Sequence, residues 1–184
     1  MSRFNFIKTD IDGVWIIETK PIIDHRGYFE RHFCCNDFQE IGLNKPIVQI
    51  NHSRTIGAGS IRGIHYQTAP FYEIKIVRCI KGAIYDVAVD LRKNSPTFLK
   101  HIAIELSERN FKMLYIPEGC GHGFQTLSDD AEVFYMVTES FNSKADSAIN
   151  PLDSTLSIEW PLALGCISEK DKNGLNISSD FKGI

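Results

Sequence analysis

Five side chains spread along the sequence, His65, Lys75, His122, Tyr135 and Asp171, are of the types that carry protons or hold charge during proton transfer. Imidazoles titrate near neutral pH, an ammonium neutralises a developing oxyanion, a phenol donates a proton, and a carboxylate accepts hydrogen bonds from any of these. Together they suit general acid and base catalysis. Each also has an ordinary structural use, since buried histidines often hydrogen-bond within cores and strand tyrosines often pack. Arrangement separates the two, and arrangement depends on the elements that carry the residues.

Those elements read as strands. Short β-rich runs recur at 14–18, 28–33, 47–51, 74–79, 84–91, 100–106, 112–116 and 131–137, with turn residues between them. In the run from Ile84 to Leu91 alternate residues fall on opposite faces, and Lys81-Gly82 supplies the turn before it. Many short strands punctuated by Gly and Pro predict an all-β sandwich or barrel. Helical periodicity is confined to 36–41, with Asn36 as its N-cap, and to 107–110; neither could form a βαβ crossover layer. All 184 residues are predicted to form one domain, with the polar stretch 172–184 as a loosely held tail.

Composition narrows the function classes. Lysine and arginine total 20 against 23 acidic residues, so no net charge draws the chain to nucleic acid or to an anionic membrane, although a local basic patch could take a small anion. The five cysteines are odd in number and lack C-x-x-C spacing, which argues against a disulfide framework or structural zinc and for a reducing cytoplasm. The first 12 residues lack a signal peptide's apolar stretch. No window reaches the roughly 18 apolar residues of a membrane span.

The segment Pro117-Glu118-Gly119-Cys120-Gly121-His122 has a Pro-x-Gly-x-x-His spacing that resembles the second signature of the cupins, which fold as a double-stranded β-helix, or jelly roll. Metal-binding cupins carry two histidines one residue apart in an earlier signature; here the matching run is His65-Tyr66-Gln67, with glutamine in the second place. A divalent metal needs at least three well-placed donors. These two segments offer His65 and His122, so no metal is expected.

Nine motifs follow one another along the chain: Asp24-His25-Arg26-Gly27-Tyr28-Phe29, Gln49-Ile50-Asn51-His52-Ser53, Arg62 to Gln67, Lys75 to Cys79, Asp86 to Arg92, Ser95-Pro96-Thr97-Phe98, Pro117 to Phe124, Ile158-Glu159-Trp160-Pro161 and Ser168-Glu169-Lys170-Asp171. In this order and spacing, over about residues 5–171, they resemble the dTDP-4-dehydrorhamnose 3,5-epimerase family. The resemblance implies a nucleoside-diphosphate 4-keto-6-deoxy sugar as substrate. Its C4 ketone acidifies the hydrogens on C3 and C5, and no redox cofactor is required. It further implies His65 as the base, Asp171 as the carboxylate orienting it, Lys75 as the cation at the sugar oxygen, and Tyr135 as the acid on the opposite ring face. Arg26 and Arg62 match diphosphate-holding positions; Gln49, Asn51 and His122 match polar positions of the sugar pocket, and Phe29 an aromatic at its wall. The family likewise implies a homodimer whose exchanged N-terminal strands carry Arg26 and Phe29 to the neighbouring site.

Two departures stand out. Ser140 and Phe141 occupy places where many relatives carry tyrosines, and Asn150-Pro151-Leu152-Asp153 replaces a Trp-Asn-Asp sequence. These leave the reaction class intact and leave open which sugar is used and whether C3, C5 or both are inverted. Other readings open to the sequence are a single-centre epimerase on another nucleotide, a metal-dependent cupin, and a non-catalytic sugar-nucleotide binding protein.

Overall fold

Alternating apolar residues and frequent turns lay down two facing antiparallel sheets and one projecting hairpin in the computed structural model, which describes residues 2–184. The six-stranded sheet contains β1 (Phe4–Lys8), β2 (Trp15–Thr19), β5 (Gln49–Ile56), β7 (Lys75–Lys81), β10 (Lys112–Ile116) and β12 (Asp130–Val137). The five-stranded sheet contains β6 (Ile61–Gln67), β8 (Ala83–Asp90), β9 (His101–Ser107), β11 (Cys120–Thr126) and β13 (Asp146–Ala148). Strands β3 (Ile22–Asp24) and β4 (Gly27–Phe29) form the hairpin. The spatial orders β1-β2-β10-β7-β12-β5 and β13-β6-β11-β8-β9 mean that strands distant in sequence become neighbours, the wrapped connectivity of a jelly roll. The expected all-β class is thus the observed one.

Three apolar clusters explain why the strands read as they do. Between the sheets lie Val77, Cys79, Ile84, Ala88, Phe124 and Val133 with their neighbours. Outside the six-stranded sheet, Ile17, Ile76 and Met136 pack under Phe38 of the short helix α1 (Cys35–Phe38). Outside the five-stranded sheet, Ile64, Val87, Val89 and Leu91 are covered by the chain that follows β13. Strands such as β8 are therefore buried on both faces, and each fully buried aliphatic side chain contributes roughly 1.5–3 kcal/mol.

Several elements differ from the sequence reading. The 28–33 run stops at Phe29, because Glu30 turns inward to pair with buried Arg78 at 3.2 Å. No helix forms at 107–110: Ser107 and Asn110 instead accept each other's backbone N–H on their side chains and close a turn. Helix α1 is capped by Cys34 and contains Asn36, and it continues into a 3-10 turn over Gln39–Ile41. The tail is not loose. Ile177, Phe181 and Ile184 pack on the outer face of the five-stranded sheet, and Ile184 exchanges backbone hydrogen bonds with Leu91 and Lys93. Its polar residues face out while its few apolar ones seal that sheet.

The Asp90-Leu91-Arg92 and Ser95-Pro96-Thr97 motifs form one structural clamp. Buried Asp90 accepts from Arg92 Nε and Nη2 at 2.8 and 2.9 Å, from Ser95 Oγ at 2.5 Å and from Thr97 Oγ1 at 2.6 Å. Burial opposes its ionisation, but these donors outweigh it and bring its pKa down to about 2.

Candidate active site

The site is built where β6 meets β11. Their register slips by one residue between His122 and Phe124, which sets His65 directly opposite His122. Glycine makes the slip possible: Gly63 has φ +115°, and a Cβ there would lie 2.5 Å from Gly123 Cα. The irregularity brings both Arg62 and His65 to one groove, with Arg54, Ser60, Ser168, Lys170 and Asp171 also on its walls.

His65 Nε2 lies 2.6 Å from Asp171 Oδ1. Asp171 belongs to the short helix α2 (Glu169–Lys172), whose N-cap Ser168 accepts the Asp171 N–H at 3.1 Å and so fixes the turn. Its second oxygen accepts the Gly63 N–H at 3.3 Å, which ties the pair back to β6. Burial works against the Asp171 carboxylate, but the hydrogen bond and charge of His65, helped by Gly63, hold its pKa below the usual range. With Nε2 committed to an ionised aspartate, Nδ1 is the His65 atom left to exchange a proton. The imidazole is one-third exposed.

On the other side of His65 lies a cavity whose walls include Gln49, Asn51, Glu73, Lys75, Tyr135 and Lys170. Register explains the grouping: Tyr135 of β12 sits opposite Asn51 of β5 and Val77 of β7, while Lys75 enters two residues before Val77 on the same face. Lys75 Nζ is paired with Glu73 Oε1 at 3.0 Å. Burial raises the Tyr135 pKa, the Glu73 charge adds to this, and Arg62 opposes it, so the phenol stays protonated at neutral pH.

Behind these groups is a second histidine–carboxylate pair, His122 Nε2 to Asp86 Oδ1 at 2.8 Å. Asp86 is fully buried, its Oδ2 has no hydrogen-bond partner among the described residues, and burial pushes its pKa up against the charges of His122 and Lys75. Such a carboxylate is costly unless a cation stands by it.

The structure thus unites His65, Lys75, Tyr135, Gln49 and Asn51 in one cavity, sets Asp171 and Arg62 on the adjoining groove, and leaves His122 just behind. Arg26 and Phe29 stand apart on the β3–β4 hairpin; Arg26 pairs with Asp24 at 2.7 Å, and Phe29 is 59% exposed. Sequence reasoning missed Glu73, Asp86 and Lys170. Asp86 is two residues before Ala88 on β8, so strand alternation could have flagged it as inward-facing, whereas Glu73 precedes the first residue of β7 and carries no such signal. Phe141 borders the cavity, and its N–H donates to Gln49 Oε1 at 3.2 Å. Asn150 to Asp153, by contrast, lie beyond the cavity lining: Pro151 accepts the Trp160 indole N–H, and Asp153 accepts the Thr155 and Ile177 N–H groups.

Gln67, at the cupin signature's second histidine position, is buried and bonded to backbone. Its amide donates to Phe71 O and Ser140 O at 3.2 and 3.3 Å and accepts the Asn142 N–H at 2.7 Å. Among the described residues no three His, Cys, Asp or Glu side chains come together as a metal-binding group. No helix among them is long and apolar enough to cross a membrane.

Comparison with known proteins agrees with this geometry. The family model described as dTDP-4-dehydrorhamnose 3,5-epimerase matches residues 8–179. The dTDP-4-dehydrorhamnose 3,5-epimerase of Methanothermobacter thermautotrophicus is 45% identical over 94% of both chains. That of Shigella flexneri is 43% identical over 92% of this chain and 94% of its own. The dTDP-6-deoxy-D-glucose 3,5-epimerase of Legionella pneumophila, solved in complex with dTDP-4-keto-L-rhamnose, superposes with a TM-score of 0.89 at 38% identity, covering 93% of this chain and 91% of the other.

Proposed function

Because the chain belongs to the dTDP-4-dehydrorhamnose 3,5-epimerase family, we propose that it inverts the carbons flanking the ketone of a dTDP-linked 4-keto-6-deoxyhexose. It is an isomerase, and the observation that carries the mechanism is the His65–Asp171 pair opening onto a cavity that also holds Lys75 and Tyr135. His65 Nδ1 takes the proton from the carbon next to the ketone. The electron pair left behind moves onto the C4 oxygen, giving an enolate that the Lys75 ammonium stabilises, while Asp171 stabilises the imidazolium. Reprotonation from Tyr135 on the opposite face completes inversion at C5. A base that returned its own proton to the same face would regenerate the substrate.

Arg62 and Lys170, beside Arg54 on the groove next to His65, supply the positive charge that a diphosphate needs. Arg26 and Phe29 serve the same substrate from a second copy of the chain. The exposed apolar face of their hairpin, with Ile23 at 70% and Tyr28 at 58%, supports this homodimer. The balanced composition and free cysteines suit a cytoplasmic enzyme.

Incubating the enzyme with dTDP-, CDP- and GDP-linked 4-keto-6-deoxy sugars in deuterated water tests the reading. Deuterium should enter C3, C5 or both in the dTDP sugar and be lost with His65→Ala. Absence of exchange with all three would overturn it. Light scattering at working concentration should give the mass of a dimer; a monomer would count against the shared site.

A further inference from the structure

Glu73 has no place in the scheme above. A carboxylate beside a developing enolate opposes that charge, yet Glu73 lines the cavity and is as enclosed as Lys75, both side chains being 12% exposed. Its position is built rather than incidental. It precedes β7 in a loop that the buried Gln67 amide ties through Phe71 O to β6 and to the 140–142 segment. From there its carboxylate reaches Lys75 Nζ at 3.0 Å.

We propose that Glu73 is a positioning residue of the active site: its carboxylate fixes the Lys75 ammonium in the cavity and supplies the negative charge that acts on the Tyr135 phenol. The proposal rests on reading the cavity as the epimerase site. Lysine has a long, flexible side chain, and a tether in the loop two residues before it selects the rotamers that keep its charge within the cavity. Placement matters because an error of about 1 Å in a catalytic group can cost roughly a hundredfold in rate. The second effect is electrostatic. Around Tyr135 stand Glu73 and Lys75 from β7 and the turn before it, Arg62 and His65 from β6, Asp146 from β13 and Lys170 from α2. Tyr66 of β6 also lines the cavity. Lys170 is occupied by Asp146 at 2.5 Å, and His65 by Asp171. After burial, the Glu73 charge is the largest influence keeping the phenol protonated, and Arg62 opposes it. One anion thus aims the enolate stabiliser and preserves the proton that Tyr135 delivers.

Glu73→Gln keeps the side chain's size and removes its charge. Ultraviolet difference titration, with each protein measured against its own Tyr135→Phe variant, should show the Tyr135 phenolate forming at lower pH in Glu73→Gln than in the parent. The alkaline limb of kcat should move the same way, and kcat should fall roughly tenfold to a hundredfold with KM changed less. A parent-like phenol titration overturns the electrostatic role, whatever happens to turnover. Glu73→Asp keeps the charge but shortens the tether, so it should retain the parent's phenol titration while losing about tenfold in kcat. A parent-like kcat in Glu73→Asp overturns the positioning of Lys75. The phenol titration needs no substrate, so its failure is distinct from a parent enzyme that fails to exchange deuterium.

Discussion

Replacing Asp171 with Asn probes how His65 is held more sharply than removing the histidine does. The carboxylate is 4% exposed and serves two donors at once, His65 Nε2 on Oδ1 at 2.6 Å and the Gly63 N–H on Oδ2 at 3.3 Å. An amide has one accepting oxygen. If that oxygen stays on the Gly63 N–H, the NH2 points at His65 Nε2, which must then accept. The ring proton moves to Nδ1, the atom that has to be free to act as the base. If the amide turns over, its NH2 meets the Gly63 N–H instead. Losing the charge-assisted bond costs about 1.5–3 kcal/mol, and leaving a buried donor unmatched costs roughly a further 1–3. Together these amount to about 2.5–6 kcal/mol, or roughly 10² to 10⁴ in rate. Asp171→Ala imposes no tautomer, but it loses the same charge-assisted bond and also strips the Gly63 N–H of its acceptor, so it should lose a similar factor of roughly 10² to 10⁴. Deuterium incorporation followed by proton NMR near neutral pH measures both. Either variant turning over within threefold of the parent would refute the reasoning.

Other expectations are direct. Tyr135→Phe should retain deuterium exchange at the carbon served by His65 while inversion at C5 falls by roughly two to four orders of magnitude; equal loss of both would place Tyr135 outside the proton-donating role. Gly63→Ala forces a Cβ to within 2.5 Å of Gly123 Cα at a φ of +115°. Strain and overpacking there should cost about 2–5 kcal/mol, seen as a Tm lower by roughly 5–15 °C, and an unchanged Tm would show that the β6–β11 approach relaxes easily. Burial opposes the Glu30 carboxylate, but His32, Arg78 and Thr19 bring its pKa down to about 2. Because the folded value lies below the unfolded one, this contribution of about 3 kcal/mol is complete above the unfolded pKa of about 4.5 and is lost as pH falls through about 2. Glu30→Gln should therefore show a shallower loss of stability over that window in urea titrations, and parallel curves for variant and parent would contradict it.

The departures at Phe141 and at Asn150 to Asp153 have unequal consequences. Phe141 borders the cavity and is 61% exposed, so a ligand can meet its ring without the hydroxyl that a tyrosine would offer. The Asn150 to Asp153 turn is used for structure: it accepts the Trp160 indole, caps a 3-10 turn and holds the C-terminal segment through Ile177.

The sequence by itself determined the class of fold and named most of the groups that line the proposed site. Period-two alternation in segments such as Ile84 to Leu91 depends only on local sterics and on which residues avoid water, so it can be read without a partner strand. The ordered motifs likewise singled out His65, Lys75, Tyr135, Asp171, Gln49, Asn51, Arg62 and His122, which the structure gathers around one place. Strand β11 escaped notice because its Gly121 and Gly123 weaken any β signal, and they are there because Ile64 and Gly63 press against them. Only the tertiary structure decided the charge pairs. Asp86 to His122, Glu73 to Lys75 and the docking of residues 172–184 all depend on which surfaces are brought face to face, and no local preference encodes that. For His65 and Asp171, 106 residues apart in sequence, the motifs named the partners, but the slipped β6–β11 register and the Ser168 cap set their atoms 2.6 Å apart.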